Sequence, residues 1–166
     1  APFDAPELLA TTARPALLGH GHGFSAYAVR WPAFGDVHAE GLLLLPTNGE
    51  PLADIVAIPD ADQLPEQIAG IAAGTPVESQ FARRLAEGGC RVLVPVLIDR
   101  QPALADIPAR EVLYRSAYEL GRHLIGYEVQ KVLAGVDWFA RQAESEGRAA
   151  RVSAAGSEYH PADEPA

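Results

Sequence analysis

The chain has 166 residues, 48% of them apolar, and carries 13 Lys and Arg against 22 Asp and Glu, for a formal net charge of −9. This length supports one domain with a substantial hydrophobic core. The acidic balance argues against nucleic acid or an anionic membrane as a partner, because both attract basic surfaces. No apolar run approaches the ~18 residues of a membrane span. The single cysteine, Cys90, excludes an intrachain disulfide, and we expect it to be a small core residue.

The N-terminal segment, residues 1–23, is rich in Pro, Ala, Thr and Gly and predicts an extended lead-in. His20 and His22 are spaced as two metal ligands could be. However, no carboxylate or third histidine stands at ligand spacing nearby, so a flexible turn is favoured. We predict no metal and no cofactor for this chain. The chain begins Ala-Pro and contains no Met. Removal of a signal peptide, cleavage of a pro-segment and excision from a longer polypeptide are open explanations, and both a secreted and a cytoplasmic location stay open.

Three strands are predicted next. Residues 24–31 alternate loosely and carry three aromatic side chains, and residues 37–45 read as a second strand antiparallel to the first. His38 is then an ordinary strand side chain. Residues 54–58, DIVAI, form a short, continuously apolar strand of the kind that parallel sheets bury on both faces.

A helix and a further strand follow. The clearest helix signal opens at Thr75, where a Thr-x-x-Glu pattern predicts a capping box, and Gly88-Gly89 predicts its end. Residues 91–98 read as the next buried strand. Pro95 is unsuited to a central strand, and it predicts a bulge or a strand end there.

The C-terminal third predicts a long helix and a last strand. Helical periodicity runs over residues 112–142 with a bend expected at Gly126, and residues 151–155 form the strand. His123 lies mid-helix in this prediction, within a charged set expected on a solvated face. The order of elements predicts an α/β fold with a mainly parallel sheet and an N-terminal antiparallel strand pair. No G-x-G-x-x-G occurs, so a dinucleotide-binding version has little support.

One stretch carries a family resemblance. Residues 110–139, REVLYRSAYELGRHLIGYEVQKVLAGVDWF, resemble the helical segment before the nucleophile strand in bacterial dienelactone-hydrolase-like and acetyl-xylan-esterase-like members of the α/β-hydrolase superfamily. The resemblance covers residues 24–156, and it implies the N-terminal portion of an esterase acting on small esters. Residues 157–166 then form a polar, proline-rich tail that we expect to be frayed.

The resemblance also implies where catalytic groups would stand. The nucleophile follows the fifth strand, where Ser157 is found, but Tyr159 occupies a position that needs a small residue. His160 is too close in sequence to serve easily as the base for Ser157. We therefore expect both to be turn residues, with the catalytic triad mostly outside this chain. In the loop after the third strand, Ala61 or Asp62 is the candidate donor of an oxyanion-hole backbone N–H.

Other interpretations remain open. The carboxylates of Asp60 and Asp62 would oppose an oxyanion, so the alternative for this loop is that Asp62 caps the following helix. The chain could also be a complete, non-catalytic α/β domain that binds a partner or ligand. A small enzyme using Ser157 and His160 is the third alternative. If strands are missing, the fifth strand would be an exposed edge through which the chain could self-associate.

Overall fold

The computed structural model describes residues 3–60, 62–98, 102–104, 107–119, 121, 123–148 and 152–156. The strands are β1 Glu7–Leu8, β2 Leu17–Gly21, β3 Phe24–Phe34, β4 Val37–Pro46, β5 Asp54–Ile58, β6 Arg91–Pro95, β7 Pro102–Leu104, β8 Ile107–Pro108 and β9 Val152–Gly156. The helices are α1 Pro65–Ile68, α2 Phe81–Glu87, α3 Ala109–Glu119 and α4 Leu124–Ser145. No helix in these ranges is long and apolar enough to cross a membrane.

In the described part of the chain, seven strands form one sheet in the order β1-β3-β4-β6-β5-β9, with β2 also paired to β3. Strands β5, β6 and β9 run parallel to one another, whereas β3 pairs antiparallel with β1, β2 and β4, and β4 pairs antiparallel with β6. The predicted class, α/β with an N-terminal antiparallel strand pair, is confirmed. Residues 1–23, predicted only as a lead-in, contribute the two additional strands β1 and β2.

Helices cover both faces of the sheet. Successive strand residues point to opposite faces, so Leu42 and Leu44 pack with α1 and α2, and Leu43 packs with Trp138 and Phe139 of α4. The two resulting cores are closely filled. Trp31, Phe139 and the central residues of β6 are among the most deeply buried side chains. Cys90 is partly buried and packs against the first core, as predicted.

A buried ionic cluster ties the end of α4 to the sheet. Asp54, at the start of β5, is fully buried and accepts from Arg91 Nε at 2.6 Å and from Arg148 Nη2 at 3.0 Å. Glu146 accepts from both arginines. The Arg91 guanidinium also lies 5.5 Å from the centre of a Trp138 ring. Because buried charges require compensation by opposite charge, this cluster fixes how the end of α4 meets the amino ends of the parallel strands.

The capping box predicted at Thr75 is wrong. Pro76, which follows Thr75, adopts an extended conformation. The chain then makes one 3₁₀ turn, Val77–Ser79, and α2 begins only at Phe81. The side-chain amide of Gln80 instead donates to the Thr75 carbonyl oxygen at 3.0 Å. The predicted end of this helix is confirmed, since α2 stops at Glu87 before two glycines.

The single long helix predicted over residues 112–142 is two helices. Gly121, between them, adopts a φ of +70°, which is favourable for glycine. His123 is the N-cap of α4 rather than a mid-helix residue, and its Nδ1 accepts from the Ile125 N–H at 3.3 Å. Gly126 lies inside the first turn of α4 and is not the break. The strand end predicted at Pro95 is confirmed, because β6 stops there.

Candidate functional site

The parallel part of the sheet has a topological switch point. From β5 the chain passes through α1 and α2 to β6 on one side, and from β6 through α3 and α4 to β9 on the other side of β5. Open α/β sheets bind ligands in the crevice outside the carboxyl ends of the strands, where connections diverge in this way. Ile58 ends β5 and pairs with Gly156 at the end of β9. The carboxyl ends of β5 and of its neighbours β6 and β9 are therefore the candidate site.

The loop after β5 is held by its own side chains. The Gln63 N–H donates to the Asp60 carbonyl oxygen at 2.9 Å, and the Asp60 N–H donates to the Gln63 side chain at 3.3 Å. The N-cap of α1 is Leu64, whose N–H donates to Gln67 Oε1 at 2.8 Å. The expectation that Asp62 is the helix cap is therefore wrong. The helix starts later, at Pro65, which has no N–H to be capped.

The predicted oxyanion donors are placed only in part. Asp62 lies in an exposed turn of the loop after β5, and Ala61 lies outside the described residues. Ser157 and His160 also lie outside them. The structure therefore brings Asp62 to the predicted edge of the sheet, while the roles of all four residues stay predictions.

An ion pair holds the segment after β6 at the same edge. Arg110 of α3 binds Glu128 of α4 through two hydrogen bonds, of 2.7 and 3.0 Å. Glu128 also accepts from the Ile98 N–H at 3.2 Å, and Arg110 donates to the Ile98 carbonyl oxygen at 3.2 Å. Both backbone polar groups of Ile98 are thus satisfied by one side-chain pair. This pair fixes the course of the chain as it leaves the sheet.

The electrostatics connect this ion pair to the loop after β5. The hydrogen bond to Glu128 raises the pKa of Arg110, and the negative charges of Glu128 and Asp62 act in the same direction. Glu128 is only 8% exposed, although it belongs to the charged set around His123 that the sequence predicts on a solvated face, namely Arg115, Glu119, Arg122, His123 and Glu128. A signal was available, because Glu128 lies one turn from Leu124 and from Val132 on the apolar stripe of α4.

A cavity of about 300 Å³ lies beside Ile98, between the start of β4 and helices α3 and α4. Its walls include Leu113, Leu124 and Tyr127, and Lys131 lines it as well. Burial lowers the pKa of Lys131, although the negative charges of Glu128 and Glu40 act against that shift. Its mainly apolar lining suits an apolar group. Among the described residues, no three His, Cys, Asp or Glu side chains form a possible metal site.

Comparison with known proteins bears on the fold. No protein-family model matches the chain. No curated protein matches it with significance. Among solved structures, the chain is similar to a Bacteroides fragilis protein described as a "putative acetyl xylan esterase", with a TM-score of 0.65 and 18% identity. The match covers 93% of this chain and 42% of that one. At this identity the likeness shows the fold alone, which is α/β-hydrolase-like. This chain spans less than half of the neighbour's length.

Proposed function

We propose that this chain is the N-terminal portion of a carboxylic-ester hydrolase of the α/β-hydrolase type, acting on small esters. The observation that carries the proposal is the likeness to an esterase-named protein over 93% of this chain. The same match covers 42% of that protein, so most of the catalytic triad is proposed to lie outside these 166 residues.

In this proposal the chain supplies the sheet and part of the oxyanion hole. A backbone N–H of Ala61 or Asp62 would face the acyl oxygen as negative charge develops on it. The donor must be rigidly held, and the reciprocal bonds between Asp60 and Gln63 stabilise that loop. The Arg110–Glu128 pair would act as a positioning device, since it holds the neighbouring segment after β6.

The experiment uses the protein from its natural source. Its intact mass is measured, its hydrolysis of 4-nitrophenyl acetate is assayed, and a fluorophosphonate label is mapped to a peptide. We expect a mass above the 17.6 kDa of this chain, esterase activity, and a label outside residues 1–166. A natural protein that neither hydrolyses the ester nor takes the label would refute the esterase proposal.

A matched pair of serine variants tests the position of the nucleophile. Ser157→Ala is compared with Ser153→Ala, an exposed serine of β9, in the same assay. Because the nucleophile is proposed to lie outside the chain, both variants should retain activity. Loss of activity and of labelling in Ser157→Ala alone would place the nucleophile here, and it would make His160 the first candidate for its base.

The alternative is a complete, non-catalytic α/β domain that binds a ligand or partner. The mainly apolar cavity beside Ile98 favours it as a binding surface, because the Ser116 hydroxyl in its wall donates to the Val112 carbonyl oxygen and is not paired with His38. A natural mass of 17.6 kDa, with cooperative unfolding and no ester hydrolysis, would support this alternative.

We also propose that the chain self-associates through β9, whether it is part of an esterase or a binding domain. Among the described strands, β9 pairs only with β5, and an unpaired edge can accept a strand from a second copy. Sedimentation velocity over a range of concentrations should show association. Ala154→Lys, at an exposed position of β9, should reduce it, whereas equal association of both proteins would contradict a β9 contact.

A further inference from the structure

A second cavity, of about 460 Å³, lies away from the proposed esterase site. Its lining comes from β2, the start of β3, the segment after α1 and the start of α2, and it includes His20, His22, Phe24, Gly70, Ile71 and Arg83. Phe24 pairs with Pro46 at the end of β4, and Leu44 of β4 pairs with Val92 at the start of β6. The cavity therefore lies toward the amino ends of the parallel strands, whereas the candidate esterase site lies at their carboxyl ends.

The polar side chains of this cavity are basic. Arg83 contributes a guanidinium that also pairs with Glu87 outside the lining, His20 and His22 contribute imidazoles, and none of the described lining residues is acidic. This contrasts with the chain as a whole, whose formal net charge is −9. A concave site with basic side chains in an acidic protein favours a negatively charged ligand.

Arg83 is held in place by its neighbours. Its Nε donates to Glu87 at 2.8 Å, and its Nη1 donates to Gln80, a buried side chain, at 3.2 Å. Among the residues that the structure describes, Nη2 has no hydrogen-bond partner, so both of its N–H donors can bind a ligand. Gly70 permits this arrangement, because a Cβ there would lie 2.7 Å from Arg83 Cδ and its φ is +70°.

His20 is oriented by a second buried group. Its Nδ1 lies 2.9 Å from Oγ of Ser25, which is only 5% exposed. Since Nδ1 is engaged, Nε2 is the atom through which this ring can bind a ligand. When the Ser25 hydroxyl donates to Nδ1, the neutral ring carries its proton on Nε2 and donates it. A donor of this kind suits a carboxylate oxygen.

The remaining walls are apolar. Phe24, Ala26 and Ala69 belong to the buried core, and Ile71 is 39% exposed. We propose that this cavity binds a small organic monocarboxylate, with its carboxylate facing Arg83 and His20 and its apolar group against the wall that Phe24 and the more exposed Ile71 form. The volume is within the usual range for small-molecule sites. The site is independent of the proposed esterase function.

The test is a calorimetric titration of the protein at its full natural length with benzoate. Saturable binding is expected, weakened about tenfold or more in Arg83→Gln because a charge-assisted hydrogen bond is lost. The control is Arg84→Gln, on the same helix but not lining the cavity, which should stay within about twofold of the parent. No saturable binding by the parent, or equal weakening in the two variants, would overturn the proposal.

Two variants of Ile71 with added charges of opposite sign provide a second test, which does not require the Arg83 variant to fold. Ile71→Glu should weaken benzoate binding and Ile71→Lys should retain or strengthen it, since only the sign of the added charge differs. Two ligand arms decide the chemical class. The proposal of an organic carboxylate would be refuted if inorganic phosphate bound more tightly than benzoate. It would also be refuted if Zn²⁺ bound in a way that depended on His20 and His22 but not on Arg83.

Discussion

Replacing Asp54 tests the buried ionic cluster most directly. Asp54 is fully buried and pairs with Arg91 and Arg148, and the Arg91 side chain is itself only 9% exposed. Asp54→Ala would remove the acceptor from both arginines and leave the Arg91 charge poorly compensated. Breaking a buried pair from one side costs about 3–5 kcal/mol. For a chain of this length that corresponds to a fall of roughly 6–20 °C in the unfolding midpoint.

The measurement is thermal and urea unfolding followed by circular dichroism. Asp137→Ala is the matched control, because this aspartate is exposed on α4 and its loss should change stability by no more than about 0.5 kcal/mol. Asp54→Asn keeps the shape and one acceptor oxygen, so it should fall between the two. If Asp54→Ala is no less stable than Asp137→Ala, the cluster does not stabilise the fold as argued.

Two further predictions concern α4. A Cβ at Gly135 would lie 2.7 Å from Leu93 Cδ2, whereas nothing lies within 4 Å of one at Gly126. Gly135→Leu should therefore cost about 1–3 kcal/mol by overpacking while Gly126→Leu does not, and equal urea midpoints would contradict this. Burial opposes ionisation of Glu146, but the hydrogen bonds and positive charges of Arg148 and Arg91 outweigh burial and hold the pKa of Glu146 below the ordinary 4.5. The ion pairs of Glu146 with Arg148 and Arg91 thus stabilise the protein above pH 4.5, and this stabilisation is lost as the pH falls through the lower pKa that Glu146 has in the folded state. The gap in unfolding midpoint between parent and Glu146→Gln should be smaller at pH 3 than at pH 7, and an unchanged gap would argue against it.

The central strands were predictable because their signals are local. Residues 24–31, 37–45 and 54–58 fall within β3, β4 and β5, since alternating or continuous apolar runs bounded by turns report burial directly. Strand β2 carried no such signal. It is held mainly by backbone pairing with β3, as between Gly21 and Phe24, and backbone hydrogen bonds leave little trace in side-chain pattern.

In the candidate site too, one feature has a local sequence signal and another does not. The loop after β5 was predicted as its location, because a buried parallel strand must end in a loop at the carboxyl edge of the sheet. The Arg110–Glu128 pair was not predicted. Its members are 18 residues apart and on different helices, and only the packing of α3 against α4 brings them together around Ile98.

The sequence by itself determined the class of the fold, the order of most strands and helices, and the end of β6 at Pro95, since apolar periodicity, glycine and proline act locally. Only the tertiary structure decided that β6 lies between β4 and β5, which creates the switch point. It also decided that His20 and Ser25 meet beside Arg83. Strand neighbours and cavity walls depend on how distant segments share two helix-covered faces, and that choice is made by packing across the whole domain.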